Sequence, residues 1–166
     1  MNRGTKFRAY DPVNKAIFFS NETADGDLSF NFYFDDGVLK AQSIFKVDID
    51  NPMEMVFTYC HLMQFTGHQI GKEDAYASDI VKITEDDPED TGYYVVTWIQ
   101  EWCMFALLCI ENGEYALYLK EGAESLDEFM FWTFPLSQAK VNDVQYSLVG
   151  NIYSNPEFLN PELLNK

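Results

Sequence analysis

The chain is poor in basic residues. Its 11 Lys and Arg stand against 27 Asp and Glu, a formal net charge of −16 over 166 residues. Such a chain repels a phosphate backbone and gains nothing from counterion release, so nucleic-acid binding is disfavoured. Cysteine is scarce too: Cys60, Cys103 and Cys109 are odd in number and lack a C-x-x-C spacing, which argues against a secreted disulfide framework. Histidine occurs twice, at His61 and His68. The longest apolar run, Trp102–Ile110, is nine residues, where a membrane helix needs about twenty. The first residues carry no apolar signal core. These absences set the expectation of a cytoplasmic protein without a membrane partner.

What is abundant is apolar and aromatic. Apolar residues are 47% of the chain and aromatics 16%, with 14 Phe and 10 Tyr. Aromatic and β-branched side chains suit half-buried strands better than helices. The length favours one domain or two tightly packed subdomains, enough to bury a core without metal or disulfide staples. The charge is uneven. Residues 1–15 carry Arg3, Lys6, Arg8 and Lys15 against Asp11, a net +3, which leaves −19 on the rest. The plain reading is a solubilising acidic body; the sharper one is an acidic surface that mimics nucleic acid and captures a basic, DNA-handling protein.

Turn signals divide the chain into short strands. Asp11-Pro12-Val13-Asn14 separates two apolar stretches: Pro presets φ for a turn and Asn tolerates the left-handed region that closes one. Leu28, Phe30, Phe32 and Phe34 alternate with polar residues or Tyr33, the period of a strand. Asp36-Gly37 then offers a type I′ hairpin turn, with Val38–Ile49 as the returning strand. Met53–Phe65 fits a helical face or a strand, and its composition favours the strand. Asp79–Thr84 and Tyr93–Trp102 read as strands around the exposed acidic loop Glu85–Gly92. Asn112-Gly113 predicts a hairpin within Cys103–Lys120. Glu128–Phe134 and Val144–Tyr153 read as further strands. Turn signals at this spacing suggest a small barrel or sandwich. In the tail, Asn155-Pro156-Glu157 and Asn160-Pro161-Glu162 share one helix-start logic, so two short helical turns or one broken helix are expected.

Candidate chemistry is thin. Cys60, His61 and His68 are the only grouped soft ligands, but a structural zinc site wants four, commonly in close pairs. Adjacent residues on a strand also point to opposite faces. Cys103 and Cys109 lie in an apolar run, where a thiol is usually inert. No nucleophile elbow, His-Glu-x-x-His or phosphate-cradling loop occurs. The expectation is no enzyme, no catalytic residue, no metal and no cofactor. Trp98, Trp102 and Trp132 are expected as core anchors rather than an aromatic platform, and Arg8 as the partner of a carboxylate rather than of a phosphate.

Four stretches nevertheless line up with a known pattern. Lys6–Asp11, Leu62–Gly67, Tyr76 with Asp79–Val81, and Gly150–Glu157 with Leu159 resemble the YopX family of phage and prophage proteins in order and spacing. That family has a Lys-Phe-Arg-Ala-aromatic-Asp string, a Leu-Met-Gln-aromatic-Thr-Gly string, a Gly-Asp-Ile-Val step and a Gly-Asn-Ile-aromatic-x-Asn-Pro-Glu string. Ser78 stands here where the family usually has Gly, and His68–Ala77 lacks the usual Asp-Lys-Asn-Gly turn. The resemblance implies an all-β, mainly antiparallel fold with a minor C-terminal helix. It implies an N-terminal β-meander subdomain, residues 1–60, packed on an SH3-like β-barrel subdomain, residues 61–166. It brings no biochemical activity, and so no functional residues.

In that frame His61–Ile83 reads as a joint. Thr66-Gly67 and Gly71 supply turns, Tyr76 anchors the loop on the core, and the Asp79 carboxylate accepts loop N–H groups and fixes where its strand begins. By analogy with SH3-like folds, Thr66, Tyr76, Asp79, Glu85, Asp86 and Asp87 would line one rim of a partner-binding groove. The functional expectation is a non-enzymatic phage or prophage accessory protein of the bacterial cytosol that binds an unknown host or phage protein. The alternatives are a self-assembling homo-oligomer and the acidic mimic.

Overall fold

The computed structural model describes residues 6–20, 28–36, 38–46, 55–84, 91–100, 103–111, 113–122, 124 and 145–159. They form an all-β, antiparallel molecule with one short α-helix. The chain divides into two compact units, Met1–Gln64 and Phe65–Lys166.

Unit 1 contains β1 (Phe7–Asp11), β2 (Ala16–Phe19), β3 (Leu28–Asp35), β4 (Val38–Lys46), β5 (Met55–Tyr59) and the start of β6 (His61–Ile70). β3, β4 and β5 make a three-stranded meander. β1 pairs with β2 on one side and with His61–Gln64 of β6 on the other. The period-two pattern of β3 is realised: it pairs with β4 without a slip, from Leu28 opposite Phe45 to Asp35 opposite Val38. That register leaves residues 36 and 37 as a two-residue loop. Asp36 has φ +50, as a type I′ turn requires; Gly37 lies outside the described residues. Met53–Phe65, expected as one strand, is divided at Cys60 into β5 and β6, whose neighbours are β4 and β1. In the turn after β1 the left-handed residue is Lys15, φ +52, not Asn14. Asn14 is held instead by the Asp11 carboxylate.

Unit 2 contains the rest of β6, β7 (Glu73–Tyr76), β8 (Asp79–Thr84), β9 (Gly92–Ile99), β10 (Met104–Cys109), α1 (Glu114–Glu121) and β11 (Gln145–Asn151). Its sheet runs β10-β9-β8-β11. Both faces are covered. Ile80, Val95, Ile99, Ala106 and Leu108 pack on one side with Ile110 and Tyr115. Val81, Ile83, Val96 and Leu107 pack on the other with Ile70 and Ala75. The alternation Ile80/Val81, Val95/Val96 and Leu107/Leu108 feeds the two cores in turn. Each such burial contributes about 1.5–3 kcal/mol.

Three expectations are corrected here. Asn112-Gly113 does not open a hairpin: Glu114–Glu121 is a helix. Its Glu, Ala, Leu and Lys are strong helix formers, and Tyr115 and Tyr118, three apart, share one face and pack on the core. Gly113 enters and Gly122 leaves with φ +78, and the Gly122 N–H donates to Tyr118 O at 2.8 Å. Trp98 is not a buried anchor; it is 44% exposed and packs edge-on against Phe105. In the tail, Pro156–Phe158 is a single 3-10 turn, and the Asn155 side chain does not cap it. Asn155 Nδ2 donates to Glu157 Oε1 instead. The expected Asn160 turn, the Glu128–Phe134 strand, Trp102 and Trp132 lie outside the described residues.

Candidate functional site

The segment from β6 to β8 is built as a corner. Thr66-Gly67 does not turn the chain. Gly67, φ +86, sits in an irregularity where the β6–β7 register slips between Phe65 and Gln69, and β6 continues to Ile70. Thr66 Oγ1 stabilises the slip, donating to Ala75 O at 2.9 Å and accepting the His68 N–H at 3.2 Å. The turn comes at Gly71, φ +64, in the two-residue loop between Ile70 and Glu73. Tyr76 is buried, opposite Phe65, with ring centroids 5.6 Å apart. Asp79 is buried as well, and its Oδ2 accepts the Tyr76 N–H at 2.8 Å. Both side chains do what the joint reading assigns them.

The corner is tied to the C-terminal string. Asp79 lies opposite Asn151 in the β8–β11 ladder, and Ile80 opposite Gly150. Ser78, φ +70, donates its N–H to Val96 O at 2.7 Å and accepts the Ile152 N–H at 3.0 Å. That left-handed backbone is the kind glycine adopts most easily. Asn151 Oδ1 accepts the N–H groups of Tyr153 and Ser154. Gly150, φ +154, lies at a bulge against the Asn155 side chain; a Cβ there would collide with Asn155 Oδ1.

Of the six residues placed on a rim, the structure brings Thr66, Tyr76 and Asp79 to this corner. Tyr76 and Asp79 are buried and Thr66 is half-buried. Glu85, Asp86 and Asp87 lie outside the described residues. His61 is exposed and stacks on Tyr10 at 6.4 Å, while Cys60 is half-buried. Among the described residues no three His, Cys, Asp or Glu side chains converge as a metal site would need.

Sequence reasoning missed a second polar cluster, in unit 1. Asp11 is buried, and its Oδ1 accepts the N–H groups of Val13 and Asn14 at 2.8 and 3.0 Å. Its Oδ2 accepts from Asn14 Nδ2 at 2.7 Å and from the Ser43 hydroxyl of β4 at 2.5 Å. Burial alone would raise the Asp11 pKa, but the hydrogen bonds from Ser43 and Asn14 and from the two backbone N–H groups outweigh it and hold the carboxyl below its usual range. Burial pushes the neighbouring Cys60 thiol up, and the Asp11 charge adds to this against hydrogen bonds from Ser43. A thiol so shifted is a poor nucleophile. Ser43 is buried and spends its proton on Asp11. Asp11-Pro12 was a readable turn signal; nothing in the sequence marked Ser43.

The surface is different. On the β3–β4–β5 sheet Phe34, Val38 and Tyr59 are 74%, 59% and 73% exposed.

A solved structure carries the name of the family that the strings resemble. The chain is similar to the crystal structure of protein YopX from Bacillus subtilis, at 17% identity and a TM-score of 0.48, with 96% of this chain and 98% of that one covered. No family model matches the chain, and no curated protein does.

Proposed function

We propose that this protein is a non-enzymatic protein-interaction module, a phage or prophage accessory factor working in the bacterial cytosol. One observation carries the reading: among the described residues of unit 1, three large apolar side chains left in solvent, Phe34, Val38 and Tyr59, lie on the β3–β5 sheet, and a fourth, Val13, lies in the turn between β1 and β2. Large aromatic side chains left in solvent are what binding surfaces use. The polar residues that invite a chemical reading, Asp11, Ser43, Asp79 and Asn151, are buried, and their hydrogen bonds hold turns and strands.

A second reading, the acidic mimic, is favoured by how charge divides. Unit 1 carries 6 basic and 9 acidic residues, net −3, and unit 2 carries 5 and 18, net −13. A tagged pull-down from the prophage-induced host, with and without nuclease and across a salt gradient, separates the readings. Capture that survives nuclease and 0.5 M salt supports the apolar surface. Release of a basic protein by salt supports the mimic. Recovery of the bait alone contradicts both and favours self-assembly.

A further inference from the structure

We propose that the tip of the β3–β4 hairpin is the recognition element, inserting into an apolar pocket rimmed by Lys or Arg on another protein. This rests on the interaction reading above and names the partner's chemistry. β3 and β4 pair in register to Asp35 and Val38, so the turn is two residues long and the last side chains of both strands stand at its base. Phe34 shares one hairpin face with Leu39, and Val38 shares the other with Asp35. The two exposed apolar side chains, Phe34 and Val38, therefore lie on opposite faces, and what buries both must surround the tip. A flat surface would cover one and leave the other in water.

The charge at the tip selects the rim of that pocket. Asp35 and Asp36 are exposed beside Phe34 and Val38. Lys40 forms an ion pair with Asp35, and among the described residues no ion pair balances Asp36. A rim of Lys or Arg complements that acid, whereas an acidic rim would be repelled. A second copy of this chain is a poor occupant, since each copy brings −16.

The test places p-benzoylphenylalanine at position 34 in the full chain, and separately at position 119, in cells that make the protein. Leu119 is also exposed, but it lies on α1 of unit 2. The expected result is an adduct from position 34 with a different protein, mapped to an apolar pocket bordered by Lys or Arg. Asp36→Lys should cut its yield by about tenfold, the scale of a hot-spot contact. Position 119 should give no such adduct. The proposal is overturned by an adduct of the chain with itself, by a yield unchanged in Asp36→Lys, or by silence at position 34. Silence at 34 with an adduct at 119 removes the tip and leaves the interaction reading standing. Silence at both removes both.

Discussion

Asp11 in unit 1 and Asp79 in unit 2 are both buried carboxylates at the end of a strand, and both hold the turn beside them. Asp79 reaches three residues back, to the N–H of Tyr76. Asp11 takes the turn ahead of it through Val13 and Asn14, and also the hydroxyl of Ser43, 32 residues away in another sheet. Both close the turn beside them, and Asp11 also ties its turn to a distant strand. The comparison shows how one residue type can serve local geometry and long-range packing at once.

The largest test is truncation of Asp11. Asp11→Ala leaves a buried hydroxyl and turn donors without their acceptor and should cost about 3 kcal/mol. Urea unfolding checks this, and a loss below about 1 kcal/mol would mean that the long-range tie adds nothing to the local one. Next comes Gly150→Ala, which drives a Cβ into Asn155 and should cost roughly 2 kcal/mol. Adding Asn155→Gly should restore about half of that in thermal unfolding, if the clash and not the backbone is the larger cause.

A smaller effect is acid dependence. The Asp11 pKa is lowered in the folded state. Its contribution is therefore fully present above the unfolded value, about 3.9, and is lost as pH falls through the lower folded value. Below about pH 4 the stability gap between the native chain and Asp11→Asn should narrow, as read from unfolding midpoints across pH. The smallest effect is a gain. Ser78 holds φ +70, so Ser78→Gly should stabilise unit 2 by about 0.5 kcal/mol, the relief of backbone strain less the added freedom of the unfolded chain. A loss in differential scanning calorimetry would mean that the Ser78 side chain matters more than its backbone.

The strings that resemble a family turn out to be partners of one another. Phe7, Arg8 and Ala9 pair with Gln64, Met63 and Leu62, and Asp79 and Ile80 pair with Asn151 and Gly150. The strings were legible as a resemblance, whereas their pairing, which joins residues far apart in the chain, was not. The alternation of β3, the Asp36-Gly37 loop and the roles of Tyr76 and Asp79 were legible through local rules. Other features were not. Asn112-Gly113 is followed by residues that suit a strand or a helix, and burial of Tyr115 and Tyr118 decided for the helix. Thr66-Gly67 has turn chemistry, yet a continuing strand used it as a bulge. Ser43 became important only because folding places it beside Asp11, and no spacing rule reports that. The hairpin tip was legible as a turn, while the exposure of Phe34 and Val38 depends on what fails to cover them.

That buried polar residues serve the fold rather than chemistry is tested most directly at Asp11 and Ser43. The measurement is a double-mutant cycle of Asp11→Ala and Ser43→Ala, read by urea unfolding at neutral pH. The expected result is a coupling of about 1–2 kcal/mol, since each variant removes the same hydrogen bond. Losses that add to within a few tenths of a kcal/mol would contradict it, because the two side chains would then act independently.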